Sequence, residues 1–220
     1  MTARRRLPSR PALWGGRLVA LALAAFGAIA HARDFQVHDS TGAALGDAVV
    51  YLTPEDAGAP VTRAAPASIV QNHKMFMPLV TVVQKGAAVD FPNRDDIAHD
   101  VYSLSEAKRF ELKLYRGRSR QVVFDKPGVV TIGCNIHDMM IAYVVVVDTP
   151  YFAKTGANGH GELPRLPAGR YRIAVWHPRL GNAPAVVVGT FRSPGEASAS
   201  TAPSAPSTQP LLLTLPLHGG

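Results

Sequence analysis

Three residues with metal-binding side chains lie close together at one point of the chain: Cys134, His137 and Met140. Cys134 is the only cysteine among 220 residues, and the histidine and the methionine each follow after a spacing of three. A thiolate, an imidazole and a thioether are three of the four donors of a blue-copper centre, and the remaining donor is a second imidazole. The spacing therefore predicts a copper site on one short loop, completed by a histidine from elsewhere in the chain.

The histidine best placed to complete such a site is His99. It follows a strand predicted around Val89 and Phe91, so it should lie at a strand end, where loops held by a rigid scaffold can converge. The other histidines of the mature chain are expected to be structural or on the surface: His38, His73, His160, His177 and His218.

The first 32 residues have the features of an export signal. A basic start from Arg4 to Arg17 precedes an apolar run from Leu18 to Ala30, and Ala30-His31-Ala32 offers a small-x-small cleavage site. The sequence therefore predicts cleavage after Ala32 and export to the periplasm. An uncleaved N-terminal anchor is the alternative interpretation.

The charge of the chain changes once this segment is set aside. The 23 basic and 16 acidic residues give a net charge of +7, but five of the basic residues and none of the acidic ones lie in 1–32. The remainder carries 18 basic against 16 acidic residues, about +2, which does not indicate a nucleic-acid partner. A single cysteine in an exported chain cannot form an internal disulfide, so Cys134 is either a metal ligand or an inert buried residue.

Strand signals recur at short intervals from residue 67 onwards, and no helical period of useful length appears. Phe110, Leu112 and Leu114 alternate with more polar neighbours, which predicts a half-buried strand. The continuous β-branched run at 141–147 predicts another strand. The spacing and composition favour an all-β sandwich, with further strands expected at 68–71, 79–83, 122–124 and 129–132.

Several stretches around these residues resemble the signature regions of the cupredoxins, the plastocyanin and amicyanin family. The resemblance is strongest to exported plastocyanin-like proteins that are labelled methylamine-utilisation proteins, and it covers roughly residues 67–180. It implies a Greek-key β-sandwich with one type 1 copper ion held by His99, Cys134, His137 and Met140. The matching stretches are Phe91-Pro92-Asn93, Val101-Tyr102-Ser103, Phe110-Glu111-Leu112, Phe124-Asp125-Lys126-Pro127-Gly128 and Gly133-Cys134-Asn135-Ile136-His137-Asp138.

Two positions affect the choice of axial ligand and the surroundings of the ligands. Met139 competes with Met140 as the axial ligand, and the short amicyanin-like loop spacing favours Met140. Cupredoxins usually carry asparagine after the first ligand histidine, where its side chain ties the two ligand loops together; this chain has Asp100. An ionised carboxylate accepts hydrogen bonds but donates none, so the surroundings of the ligands are expected to differ from those in the family.

The regions on either side of the copper-binding segment resemble a second kind of module. The stretch from Thr155 to Tyr171 is similar to the carboxypeptidase-regulatory, transthyretin-like β-sandwich, and the segment from Asp39 to Leu52 resembles its opening hairpin. We therefore expect a cupredoxin domain at 63–148 inserted into a small β-sandwich formed by 33–62 and 149–220. A low-complexity loop is expected at 193–210.

These features predict a periplasmic one-electron carrier that is not an enzyme, because the sequence shows no haem-attachment motif and no nucleophile–base pair. The expected partner is a redox protein such as a c-type cytochrome or a periplasmic dehydrogenase. An excess of basic residues at 108–126 is either a docking surface for an acidic partner or a solvated face. Two other functions stay open: a periplasmic copper carrier or sensor, and a non-catalytic β-sandwich binding module without metal.

Overall fold

The computed structural model describes residues 33–56, 60, 62–194 and 209–217. The expected signal segment at 1–32 and most of the expected low-complexity loop lie outside the described residues. Within them, the strands in chain order are β1 Arg33–Asp39, β2 Val49–Pro54, β3 Ala67–Ser68, β4 Val70–Asn72, β5 Met75–Met77, β6 Val80–Gln84, β7 Ala87–Asn93, β8 His99–Ser103, β9 Phe110–Tyr115, β10 Gly117–Phe124, β11 Gly128–Cys134, β12 Ile141–Val147, β13 Phe152–Lys154, β14 His160–Leu163, β15 Gly169–Trp176, β16 Val186–Ser193 and β17 Leu211–Leu215.

The strands form two sandwiches, which confirms the expected all-β fold. Strands β3 to β12 form the middle sandwich, whose sheets have the orders β10-β7-β4-β5, with β3 beside β7, and β6-β12-β11-β8-β9. The remaining strands form the flanking sandwich, whose sheets have the orders β14-β1-β17 and β13-β2-β15-β16. Each sandwich encloses its own buried apolar core. No helix among the described residues is long and apolar enough to span a membrane.

The two N-terminal strands do not form the expected hairpin. β1 pairs with β14 and β17, whereas β2 pairs with β13 and β15, so the two strands lie in opposite sheets of the flanking sandwich. Between them, Leu45 and Ala48 are buried. The connection therefore carries the chain across the core instead of turning it back along the same sheet.

A third buried cluster joins the two sandwiches. Strand β12 alternates its contacts, with Val144 in the core of the middle sandwich and Val145 against the flanking sandwich. Trp176 of β15 is fully buried in this interface, and its ring centroid lies 5.1 Å from that of Tyr143. Beyond Ile141, which is exposed, both faces of β12 are thus covered, which explains the continuous apolar run at 142–147. The sheet that contains β11 and β12 is supported from both sides.

The alternation predicted for β9 is wrong at its C-terminal end. Leu114 is 61% exposed, and Tyr115 is buried in its place. The pairing of β9 with β8 shifts by one residue between His99 and Val101, and such an irregularity exchanges the two faces of a strand. The Tyr115 hydroxyl donates a hydrogen bond to the carbonyl oxygen of Phe91 at 2.6 Å, so the buried phenol has a polar partner.

Candidate metal centre

Strand pairing brings the distant histidine to the cysteine loop. Cys134 is the last residue of β11, and His99 is the first residue of β8. The two strands are antiparallel, with Cys134 opposite Val101, so the end of one strand meets the start of the other. His137 lies in the loop between β11 and β12, whose turn is closed by a 2.9 Å hydrogen bond from the Met140 N–H to the His137 carbonyl. The fold therefore gathers three of the predicted ligands at one end of the middle sandwich.

The donor atoms of His99, Cys134 and His137 all lie within 4.8 Å of one another. His99 is fully buried and Cys134 is only 4% exposed. The Nδ1 atom of His99 is 3.8 Å from the Cys134 sulfur, and the centroids of the two imidazole rings are 5.2 Å apart. This is a compact, largely dry set of one sulfur and two nitrogen donors.

The hydrogen bonding and the spacing of these donor atoms fit a bound metal ion. The Nδ1 atom of His137 is buried and has no hydrogen-bond partner among the described residues, an arrangement that costs free energy unless another ligand satisfies it. The 3.8 Å separation of His99 Nδ1 and the Cys134 sulfur is short enough for one ion to bind both atoms, because bonds from a metal to sulfur and nitrogen are about 2.3 Å and about 2.0 Å long. The donor set and its spacing therefore fit a bound metal ion.

The two candidate axial ligands differ sharply in burial. Met140 is 1% exposed and belongs to the same buried cluster as Cys134, whereas Met139 is 90% exposed. His99 and Cys134 are themselves buried, so a buried thioether is better placed to join them than an exposed one. Burial therefore favours Met140 over Met139.

Asp95 holds the second nitrogen of the buried histidine. Its Oδ2 atom lies 2.8 Å from His99 Nε2, and the same carboxylate accepts the backbone N–H groups of His73 at 2.6 Å and Lys74 at 3.0 Å. Burial opposes ionisation of Asp95, but the hydrogen bonds from His99, Lys74 and His73 outweigh it and lower the pKa of its carboxyl. Asp95 therefore orients the His99 ring so that Nδ1 faces Cys134, and it anchors the β4–β5 turn to the site.

Replacing Asp95 with alanine is expected to weaken metal binding by about 10–100-fold, because loss of a carboxylate behind a ligand histidine has effects of this size. Competition titration of the metal-free protein with a chromophoric chelator measures the change. The matched control is Asp96→Ala, since Asp96 is an exposed neighbour in the same loop. Equal affinities for Asp95→Ala and wild type would show that His99 needs no such support.

Asp100 still ties the ligand loops together, with the hydrogen-bonding roles reversed from those of the expected asparagine. The Asn135 side-chain amide donates to Asp100 Oδ1 at 3.2 Å, and the Asn135 backbone N–H donates to the Asp100 carbonyl oxygen at 3.2 Å. These two residues follow His99 and Cys134 directly. The donor that Asp100 lacks is supplied by Asn135, so the link is kept and a buried carboxylate is placed beside the site.

Replacing Asp100 with asparagine is expected to raise the reduction potential of the copper-loaded protein. The substitution keeps an oxygen acceptor for Asn135 but removes a negative charge that favours the more highly charged oxidised ion. The change should be tens of millivolts, on the order of 1 kcal/mol. Protein-film voltammetry measures it, with the exposed Asp138→Asn as the control for loss of one charge. A potential equal to that of the control would contradict the electrostatic role.

Sequence reasoning missed Asp95 and Asn135 as supporting residues. Asp95 had a recognisable signal, because a carboxylate four residues before a ligand histidine can reach it across a short loop. Asn135 had none, since an asparagine after the cysteine finds its partner only through the β8–β11 pairing.

The structure also shows the surroundings of two of the remaining histidines. His177 accepts the Arg179 N–H and contacts the Gly46 carbonyl, and His73 is exposed.

No family model and no curated protein matches this chain. Solved structures with partial similarity include a Cu-containing nitrite reductase from Thermus scotoductus SA-01, at 23% identity over 43% of this chain and 25% of that chain, with a TM-score of 0.36. A reduced Cu(I) amicyanin variant has 20% identity over 36% of this chain and 80% of that chain, with a TM-score of 0.33. A purple cupredoxin from Nitrosopumilus maritimus has 22% identity over 37% of this chain and 99% of that chain, with a TM-score of 0.32. At these identities and scores the metal assignment rests on the geometry of the site itself.

Proposed function

We propose that this chain is an exported type 1 copper protein that carries one electron at a time. The observation that supports this proposal is the grouping of two imidazoles and one thiolate within 4.8 Å at a buried strand end. A His₂Cys set with a weak axial methionine is the donor combination of blue-copper electron-transfer sites. In this proposal, His99, Cys134 and His137 would hold the copper ion, and Met140 would provide the weak thioether ligand.

Bound copper would supply a one-electron couple, and the fold supplies a rigid setting for it. His99 and Cys134 lie on paired strands, and His99 is further fixed by Asp95. The sheet that carries Cys134 packs between its own sandwich core and the interface with the flanking sandwich. Such support would hold the donors in place in both oxidation states of a bound ion, so the cost of rearrangement during electron transfer would be small.

The loop that carries His137 also presents apolar side chains to solvent. Ile136 is 46% exposed, Met139 is 90% exposed and Ile141, at the start of β12, is 42% exposed. Exposed apolar groups around a half-buried histidine suit brief contact with a partner protein. We therefore infer that His137 is where the electron leaves or enters, and that the partner is a redox protein such as a c-type cytochrome or a periplasmic dehydrogenase.

Titration of the purified metal-free protein with Cu(II) tests the proposal. We expect uptake of one equivalent, an intense thiolate-to-copper absorption band in the visible range, and reversible bleaching on reduction. Repeated redox cycling without loss of copper to a competing chelator distinguishes an electron carrier from a copper carrier. A protein that stays colourless and takes up no copper would exclude both functions.

A further inference from the structure

Four arginines beside the candidate metal centre form no ion pair with a carboxylate of the described residues. Arg94, Arg116, Arg118 and Arg120, here called the basic edge, are all exposed. Arg116 donates to the backbone carbonyl of Asp96 at 2.8 Å, and the Arg120 guanidinium lies 5.8 Å from the centroid of the Tyr115 ring. Among the described residues, no ion pair joins any of the four to a carboxylate. Some cations elsewhere are paired with carboxylates: Lys108–Asp125, Lys126–Glu106, Lys154–Asp47, Arg170–Asp56 and Arg179–Asp39.

The basic edge lies at the same end of the middle sandwich as the candidate metal centre. Tyr115, the residue before Arg116, is paired with the proposed ligand His99. Asn93, the residue before Arg94, is paired with Gly117. Arg94 and Arg116 are therefore neighbours on adjacent chain segments, and a protein that contacts the His137 loop can reach them at the same time.

Protection of an exposed sheet edge does not account for the whole group. β10 is an edge strand, and cations on edge strands discourage pairing between molecules. This explains Arg118 and Arg120. It does not explain Arg94, which follows β7, a strand with neighbours on both sides. Asp96 is an exposed carboxylate of the same loop. In the described part of the structure it forms no ion pair with any of the four arginines.

The chemistry of these side chains indicates what they bind. All four are arginines, whose planar guanidinium presents two parallel N–H donors that match a carboxylate. Together they form a local field that raises the association rate of an oppositely charged protein and weakens as salt is added. A membrane surface also carries negative charge, but its lipid headgroups have no redox centre that could exchange an electron with the candidate metal centre.

We propose that Arg94, Arg116, Arg118 and Arg120 form the docking surface for an acidic face of the redox partner. The inference rests on the proposed electron-carrier function, because that function requires a protein to approach the His137 loop. The arginines steer and orient the partner, while the exposed apolar side chains of the loop make the close contact. The partner is thus a redox protein with clustered carboxylates beside its own electron-transfer site.

The first test measures binding without copper, so that it does not depend on the metal centre. Fluorescein-labelled poly-L-glutamate is titrated with the metal-free protein at low and high salt, and anisotropy reports binding. Arg94→Glu/Arg118→Glu is the test variant, because within the described part of the chain neither side chain forms a hydrogen bond or an ion pair that the substitution would break. Arg172→Glu/Arg192→Glu is the matched control, since it changes the net charge equally on the exposed surface of the flanking sandwich.

We expect the test variant to bind roughly tenfold more weakly than the control, and high salt to remove the difference. Thermal unfolding shows whether each variant is folded, and Arg94→Gln/Arg118→Gln provides a milder second pair. Equal weakening in test variant and control would overturn the proposal, since net charge alone would then explain binding. Binding of the wild type to phosphatidylglycerol vesicles but not to poly-L-glutamate would also overturn it, in favour of a membrane surface.

The copper titration separates this inference from the proposed function. If the chain takes up no copper but the two variants differ as expected, the electron-carrier function is excluded. The partner can then no longer be called a redox protein, so the proposal is overturned as stated. A chain that forms the coloured site but shows no contrast keeps its function and loses the docking surface. The inference is supported only when both the coloured site and the variant contrast are observed.

Discussion

Replacing Cys134 with serine is expected to abolish the visible absorption band of the copper-loaded protein completely. The band arises from charge transfer between a thiolate and copper, and a serine hydroxyl stays protonated near neutral pH and provides no such donor. Serine is close to cysteine in size, so the fold should survive. The buried hydroxyl should cost about 1–3 kcal/mol of unfolding free energy, because Cys134 lies within the apolar core. Absorption and electron paramagnetic resonance spectra measure the loss of the site.

Two further substitutions test whether the effect is specific to the ligand set. Met139→Leu should leave the spectrum unchanged, because Met139 is 90% exposed on the outside of the loop. Met140→Leu should keep a coloured site with an altered potential, since the axial ligand tunes the centre without being required for it. A coloured Cys134→Ser protein, or a colourless Met139→Leu protein, would contradict the proposed arrangement.

Replacing Trp176 with alanine is expected to lower the free energy of unfolding by about 3–5 kcal/mol, the usual cost of removing a buried aromatic side chain. Trp176 is fully buried and packs against Tyr143 in the cluster that joins the two sandwiches. Its loss leaves a cavity beneath the sheet that carries Cys134. Chemical denaturation, followed by circular dichroism, measures the change in midpoint and slope.

The form of the unfolding transition is informative as well. The wild type should unfold in one step, because the interface makes each sandwich depend on the other. Trp176→Ala should separate the curve into two steps, whereas Trp176→Phe should keep one step with a smaller loss of stability. A single step in all three proteins, with a loss below about 1 kcal/mol for alanine, would show that the interface contributes little.

The strands that could be predicted from the sequence are those whose environment is uniform along their length. From Ala142 to Val147 the run is covered on both faces, with only Tyr143 partly exposed, so its residues are apolar and the predicted strand is present. Val122 and Phe124 are both buried, as their alternation indicates. β9 failed at Leu114 because a shift in register, which depends on the neighbouring strand, exchanged its faces. The N-terminal hairpin failed because local turn residues do not determine which sheet receives the next strand.

The sequence by itself determined the local part of the candidate centre. Cys134, His137 and Met140 lie within one loop, so their spacing alone brings their donors near one another. Only the tertiary structure decided the rest. It showed that Asp95 supports His99, that Asn135 supplies the donor that Asp100 lacks, and that the flanking sandwich covers the ligand-bearing sheet. The physical reason is that contacts between distant segments depend on strand order and register, which are set by the packing of the whole chain.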